Sequence, residues 1–509
     1  MRTMIMLTAV TCASLAAATS AEAASTLQVG PGATYAKPCD AVAAAQPNDT
    51  IVIAPGTYTD TCTIGVNGLT LKGAGGRPKI DLSGTDHPAQ YKGIYVVQAD
   101  DVRLENLELT GAHISVDNGS NAAGVRVTGN NLVVHGCYIH DNQNGILGTE
   151  ATSGSTLTVE NTELAHNALG NGCNEGGCTH NIYVDFSKLV FQYNWSHALA
   201  SDTADKGHLF KSRSKQSFVL YNRFTGEDGP DSYELDFPNG GLVVLVGNVV
   251  AKGTKSGNPT LLKYGEEGMR NADARVFVVN DTFVNDKGGG TFLDVGPATL
   301  VAHNNILAGT GNPSTKGPLS ADNLSGIDPL FVDAAMGNYR LKAGSPAIDK
   351  GVAPGSADAF SLVPAFEYLA GASSVPRKMD ATLDLGAFEF GTDLAGAAPD
   401  GGAEAGVGVD SDGGAAASGG GSRGGAAGMD GPGAAPPDDA SAADPGAGGA
   451  SGCAVAGTAR LGTGTAGLAA ITLAVLAAVA ALSRRRRADV LTLLGRSRMV
   501  RRGERRSRS

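Results

Sequence analysis

The sequence is short of aromatic residues and of charge: 5% of its 509 residues are aromatic, 17% are charged, and there is one Trp. So few aromatics beside 72 glycines point to all-β repeats, low-complexity segments, or both. No helical period runs between the apolar stretches, which leaves strands as the repeating element. The fixed LxxLxL spacing of leucine-rich repeats is missing, and so are the longer blades of a propeller. Residues 393–452 have no aromatic at all and one Arg, Arg423, among Gly, Ala, Asp, Ser and Pro. Such a segment cannot bury enough apolar surface to fold and reads as a flexible linker. Leu461 to Leu482 lacks any charge over 22 residues, long enough to cross a bilayer.

Residues 1–23 have the form of a secretory signal, with Arg2, an apolar stretch from Met4 to Ala18, and Ala21-Glu22-Ala23 as the cleavage site. Export places the remaining cysteines in an oxidising compartment. Cys39–Cys62 and Cys173–Cys178 are the expected disulfides, and Cys137 is expected as a buried thiol. The alternative for Cys173, Cys178 and His180 is a metal site, since CNEGGCTH has ligand-like spacing. From Ser483 onward eleven Arg face Asp489 and Glu504, so this tail is +9 and the rest of the chain is −20. The tail follows an apolar span, so positive-inside topology explains it and nucleic acid is not an expected partner.

One pattern recurs from VRLENLEL at 102–109 to LVAHNNIL at 300–307: a β-branched strand running into Asn. Aligned on that position, the column is Asn106, Gly136, Asn161, Asn194, Asn222, Asn248, Asn280 and Asn304. A drifting period with a fixed strand-plus-Asn core is a solenoid signature, because no unit can bury its apolar face alone. Stacked amides predict an asparagine ladder. A second short strand precedes each: GIYVV, AGVRV, HNIYVDF, HLFKSR, YELDF, TLLKY and TFLDV. The expected fold is all-β, a single-stranded parallel β-helix over 24–320. Residues 321–392 are expected to cap its last open edge, with a loop excursion through Val352 to Lys378. Then come the linker over 393–452, an apolar transmembrane or sorting segment over 453–482, and the basic tail over 483–509.

The repeats from about Gly93 to Leu307 resemble the right-handed parallel β-helix superfamily that includes pectate lyases. DPLFVD…NYRLKAGSPAID…LDLGAFEF resembles the C-terminal part of bacterial β-helix proteins of the choice-of-anchor Q type. Gly452-Cys453, the apolar span and RRRR resemble a myxobacterial C-terminal sorting signal, which implies a place at the cell surface. FKSRSKQSFVLYNRF…YELDFPNGGLVVLVGN is similar to the part of the chondroitinase B and alginate lyase family that carries its catalytic lysine. Lys211-Ser212 and Asn222 match that motif, whereas the family's catalytic arginine falls at Asp236. No counterpart of that family's calcium-binding acidic cluster is present, and a calcium requirement stays open.

The charged stretch from Gly207 to Gly241 is where chemistry is expected. Equal coil positions in a β-helix stack about 4.8 Å apart, so polar ranks gather into one site. Aligned on the Asn column, His180, His208 and Glu234 share a rank, Tyr183, Lys211 and Phe237 a second, and Asp185, Arg213 and Asn239 a third. Removing the proton beside a uronate carboxylate takes a base, a cation on the carboxylate and an acid for the leaving oxygen. Lys211, with its pKa lowered by Arg213 and His208, is the expected base. Arg213 is the carboxylate clamp, and Tyr183 or His208 the acid. His180, Tyr233, Glu234, Asp236 and Lys263 are the expected substrate-binding residues. The opposing reading is a solvated face holding the pairs Lys211–Asp236 and Arg213–Asp185, whose ladder is structural or binds sugar without cutting it. His140 and His166 are expected in turns. The expectation is therefore an exported, monomeric, surface-anchored β-helix acting on an acidic polysaccharide as a lyase or epimerase. Its competitor is a non-catalytic adhesin or envelope protein.

Overall fold

The computed structural model describes residues 23–85, 87–168, 179–200, 207–227 and 229–394. Within it, VRLENLEL breaks into two strands, Arg103–Glu105 and Glu108–Thr110, because Asn106 takes a left-handed φ of 51°. Asn tolerates that region better than most non-glycine residues, so the chain turns a corner without a loop. Gly136, Asn161, Asn280 and Asn304 turn the same corner in their coils, and Tyr193, Tyr221 and Gly247 do so in three others. In those three coils Asn194, Asn222 and Asn248 stand one residue further on. The single column read from the sequence is therefore two adjacent ranks.

The expected asparagine ladder runs along the inner rank. Asn194 Oδ1 accepts the Thr162 N–H at 2.9 Å, Asn222 Oδ1 the Asn194 N–H at 2.8 Å, and Asn248 Oδ1 the Asn222 N–H at 2.9 Å. Asp281 continues it, accepting the Asn248 N–H at 2.7 Å. Each amide satisfies a buried corner N–H that the strand ladders cannot reach.

Each coil thus adds one strand to each of three sheets. Sheet A has eleven strands from Thr26–Val29 to Thr299–His303. Sheet B has eleven from Thr57–Tyr58 to Leu324–Ser325, and sheet C ten from Cys62–Ile64 to Asn312–Ser314. Coil-to-coil pairing is parallel, as in Val133↔Thr158 and Tyr183↔Lys211. Alternate side chains point inward, so Leu104, Leu109, Val125, Phe191, Phe210 and Leu245 share one continuous core. Each such residue contributes about 1.5–3 kcal/mol of transfer free energy. The one α-helix among the described residues, Pro38–Ala44, lies at the N-terminal end. The expected disulfide Cys39–Cys62 ties it to the first strand of sheet C, and Cys137 is a buried free thiol as expected.

Residues 321–392 add the last strand of sheet B, Leu324–Ser325 on Ile306–Gly309, and do more than cover that edge. Phe331, Tyr339, Leu341, Leu385 and Phe388 pack on the outward side of sheet B, against Val249, Ala251, Val284 and Ile306. Ala357, Leu362, Phe360 and Phe366 cover the outward side of sheet A at Leu242, Val244, Val246 and Phe277. The reason is visible in LVVLV and RVFVV, which are apolar on both faces and so need cover on both. Two faces are thereby occupied, and the polar face of sheet C is left for a site. The export signal, Cys173 and Cys178, nearly all of the linker, the apolar span and the basic tail lie outside the described residues. No helix of the described residues is long and apolar enough to cross a membrane.

Candidate active site

On sheet C, Tyr183, Lys211, Asp236, Lys263 and Asp294 are successive Cα partners. Their neighbours Val184, Phe210, Leu235, Phe237, Leu262 and Leu293 belong to the core, so this row faces outward. Asp236, not Phe237, is the rung after Lys211. The turn Phe237–Gly241 holds one residue more than its counterpart after Lys211, with Gly240 and Gly241 at φ 71° and 108°. Counting back from the Asn column therefore stops one residue short, at Phe237.

The same shift reorders the corner before sheet C. The His180 and His208 rings stack at 4.9 Å, and His208 stacks on Tyr233 at 5.0 Å. His208 N–H donates to His180 Nδ1 at 3.0 Å, and Tyr233 N–H to His208 Nδ1 at 3.2 Å. Glu234, expected in this rank, is fully buried instead, with its carboxylate 3.0 Å from Lys252 Nζ. It cannot touch a ligand in the groove.

Lys211 Nζ lies 3.1 Å from Asp236 Oδ2 and 3.1 Å from Glu267 Oε1. The expected partner of Arg213, Asp185, gives way to Glu267, whose other oxygen meets the guanidinium. The loop carrying Glu267 is sewn to the preceding coil: Gly265, Glu267 and Arg270 N–H donate to the carbonyls of Phe237, Pro238 and Asn239 at 2.9, 3.0 and 3.0 Å. Asn271 Nδ2 donates to Arg213 O at 3.0 Å. Tyr183 lies beneath both cations, its ring centroid 5.5 Å from Lys211 Nζ and 4.9 Å from the Arg213 guanidinium. Tyr233 O–H donates to Glu266 at 3.3 Å, and Lys263 Nζ pairs with Asp294 at 2.7 Å.

These contacts reverse the acid–base assignment. Burial lowers the Lys211 pKa, but Asp236 and Glu267 together hold it above the usual lysine value, so Lys211 is a cation and a poor base. Burial raises Asp236 to about 7; Lys211 pulls it down, but that ammonium is shared with Glu267. Burial drives His208 well below its ordinary value, helped by Lys211 and Lys252. With Nδ1 accepting, the neutral ring carries its proton on Nε2, 3.5 Å from Asp236 Oδ2. The cluster is thus a fixed cation pair beside a carboxylate poised near neutrality.

The sequence reading missed Glu266 and Glu267, whose only signal is the acidic pair in LLKYGEEG, and Lys252, a lone lysine ending an apolar strand. His140 is not a turn residue: it ends the strand Tyr138–His140 on sheet B, between Glu108 and Asp141. His166 does sit at a corner, with φ 51°. His180 is in place, but Cys173 and Cys178, the rest of the alternative metal set, lie outside the described residues.

The chain is similar in structure to a pectate lyase, Pel9A, at 17% identity and TM-score 0.45, over 72% of this chain and 96% of that one. A rhamnogalacturonan lyase aligns at 12% identity and TM-score 0.40, over 63% of this chain and 95% of that one. Pectin methylesterase PemA from Erwinia chrysanthemi aligns at 14% identity and TM-score 0.32, over 60% and 94%. No curated protein sequence matches the chain. Residues 67–248 match the family model described as right handed beta helix region. With three parallel sheets wound coil by coil, the chain folds as a parallel β-helix, and the region similar to that family model contains Tyr183, Lys211, Arg213 and Asp236.

Proposed function

We propose that the outer groove of sheet C binds an acidic polysaccharide and removes the proton beside a uronate carboxylate, leading to elimination or epimerisation. The observation that carries this reading is Glu267. Its carboxylate is held between the Lys211 ammonium and the Arg213 guanidinium, which supports the reading that this cation pair takes a carboxylate. A uronate carboxylate entering there displaces Glu267 and has its charge neutralised, which acidifies the adjacent C–H. Asp236 is 0% exposed while Glu267 is in place, so the same displacement must open the way to it; Asp236 then takes that proton, because its raised pKa matches a base working near neutral pH. The electron pair then expels the glycosidic oxygen, which Tyr183 or Tyr233 protonates, or the carbanion is reprotonated on its other face. Asp236 replaces Lys211 as base, and Lys211 joins Arg213 as clamp. The proposal keeps the chain exported and held at the cell surface, on the signal at 1–23 and the span at 453–482.

A specific observation favours a second reading, binding without cleavage. Lys211, Arg213 and Lys263 are each already matched by a carboxylate, as in a structural polar ladder. One experiment separates the two. The full chain is incubated with alginate, pectate and chondroitin while absorbance from unsaturated uronate ends is followed, and deuterium uptake from solvent is measured in parallel. Absorbance identifies a lyase and uptake without absorbance an epimerase; neither, with binding retained, leaves the binding reading. Product unchanged in Asp236→Asn moves the base elsewhere.

A further inference from the structure

We infer that Lys252 is a positioning residue for this groove: acting through the Ser232–Tyr233 peptide, it holds His208 in the tautomer whose Nε2–H faces Asp236. The inference deepens the reading of the groove given above and rests on it.

Lys252 ends the sheet B strand Val249–Lys252, where Val250 belongs to the inner core and Val249 and Ala251 face outward. By alternation Lys252 turns inward, an uncommon place for a lysine. Its side chain is 0% exposed. Nζ lies 3.0 Å from Glu234 Oε2 and 3.4 Å from Asp231 Oδ2, and Ser256 Oγ donates to the same Asp231 oxygen at 2.9 Å. Ion clusters of this kind are poor devices for stability alone, because apolar residues of the same volume often serve as well.

What this one does is grip a peptide. Lys252 Nζ donates to the Ser232 carbonyl at 2.7 Å. The N–H of that same peptide unit is Tyr233 N–H, which donates to His208 Nδ1 at 3.2 Å. A charged donor on the carbonyl polarises the N–H opposite, so the bond to Nδ1 is strengthened and the ring proton is confined to Nε2. Nε2 in turn lies 3.5 Å from Asp236 Oδ2. The grip also fixes the backbone at Tyr233, the third ring of the stack. Lys252 acts on Asp236 through a peptide and an imidazole without reaching the groove.

The test is histidine ring-nitrogen NMR on the full chain, with His208→Gln identifying the signal. In the wild type His208 is expected as the Nε2–H tautomer, with no titration between about pH 5 and 8. In Lys252→Met it is expected as a mixture of tautomers, and Lys252→Arg is expected to restore the wild-type spectrum. Because Lys252→Met strands buried Asp231 and Glu234, the triple variant Asp231→Asn/Glu234→Gln/Lys252→Met supplies the same measurement without an unpaired acid. A wild-type Nδ1–H tautomer overturns the inference without any variant. So does a folded Lys252 variant whose His208 spectrum is unchanged. None of these readouts needs turnover, so loss of the lyase reading leaves the tautomer result standing. If turnover is present, kcat in Lys252→Met is expected to fall at least tenfold with KM unchanged.

Discussion

His208, at the corner before sheet C, and His197 on sheet B are both buried and both stacked on an aromatic ring, Tyr233 at 5.0 Å and Trp195 at 3.8 Å. Burial pushes both imidazoles toward neutrality, yet they end on opposite sides of their ordinary value. His197 has Glu163 at 3.1 Å from one ring nitrogen and Glu227 at 3.0 Å from the other, and these carboxylates outweigh burial and raise it. His208 has a backbone N–H on one nitrogen, a carboxylate committed to Lys211 beyond the other, and two lysines adding to burial. The sheet B cluster is internally matched, and Glu227 is correspondingly held below the usual carboxylate range. The sheet C cluster is left mismatched, with a neutral histidine facing a carboxylate near 7. Mismatch of that kind is costly to hold and is what proton transfer needs.

The sharpest way to break this contrast is to remove one carboxylate from each cluster. Asp236→Asn is expected to lower uronate turnover by about 10²–10⁴-fold, the usual worth of a general base, with oligosaccharide binding retained. Glu163→Gln is expected to leave turnover where it was. Equal losses in both would mean that the two clusters do not differ in kind. A smaller effect tests the cation pair. Glu267→Gln frees Lys211 and Arg213 of their resident carboxylate, so an acidic oligosaccharide should bind about tenfold more tightly, a gain of about 1.4 kcal/mol. Titration calorimetry showing weaker binding would instead make Glu267 a scaffold for Lys211.

Much of the contrast was legible in the sequence, and the illegible part has definite causes. Strand-plus-Asn repeats give the solenoid because each coil must share its core with the next; export made Cys39–Cys62 legible, and Lys211–Asp236 was legible as a salt bridge of a solvated face. The rank of Asp236 was displaced by one because PNGG adds a residue in a turn, where no apolar periodicity marks the count. Glu267 reaches Lys211 across a sequence separation of 56, from a loop whose path is set by backbone hydrogen bonds that side-chain patterns do not encode. Glu234 looked like a groove residue because alternation fails at a corner, where the chain changes sheets and the side chain can turn inward. The direction of the Lys211 shift was misread for the same reason: its neighbours in sequence are cations, and its neighbours in space are carboxylates.

The smallest expected effect bears on the matched cluster and concerns pH. The folded pKa of His197 is raised, so its contribution to stability is complete below the unfolded imidazole value, about 6.5, and is lost as pH rises through the folded value. The folded pKa of Glu227 is lowered, so its contribution is present above the unfolded carboxylate value, about 4.3, and is lost as pH falls through the folded one. Both are therefore in force between about pH 4.3 and 6.5. Side-chain exposures of 26% at Glu163 and 41% at Glu227 let solvent screen the pairs, which keeps each near 1 kcal/mol. Urea unfolding at stepped pH should show Glu163→Gln less stable than wild type by about 1 kcal/mol near pH 6, with the gap closing as pH rises past the folded His197 value. A gap that widens in alkali would mean that His197 is held neutral like His208, and the difference between the two faces would be gone.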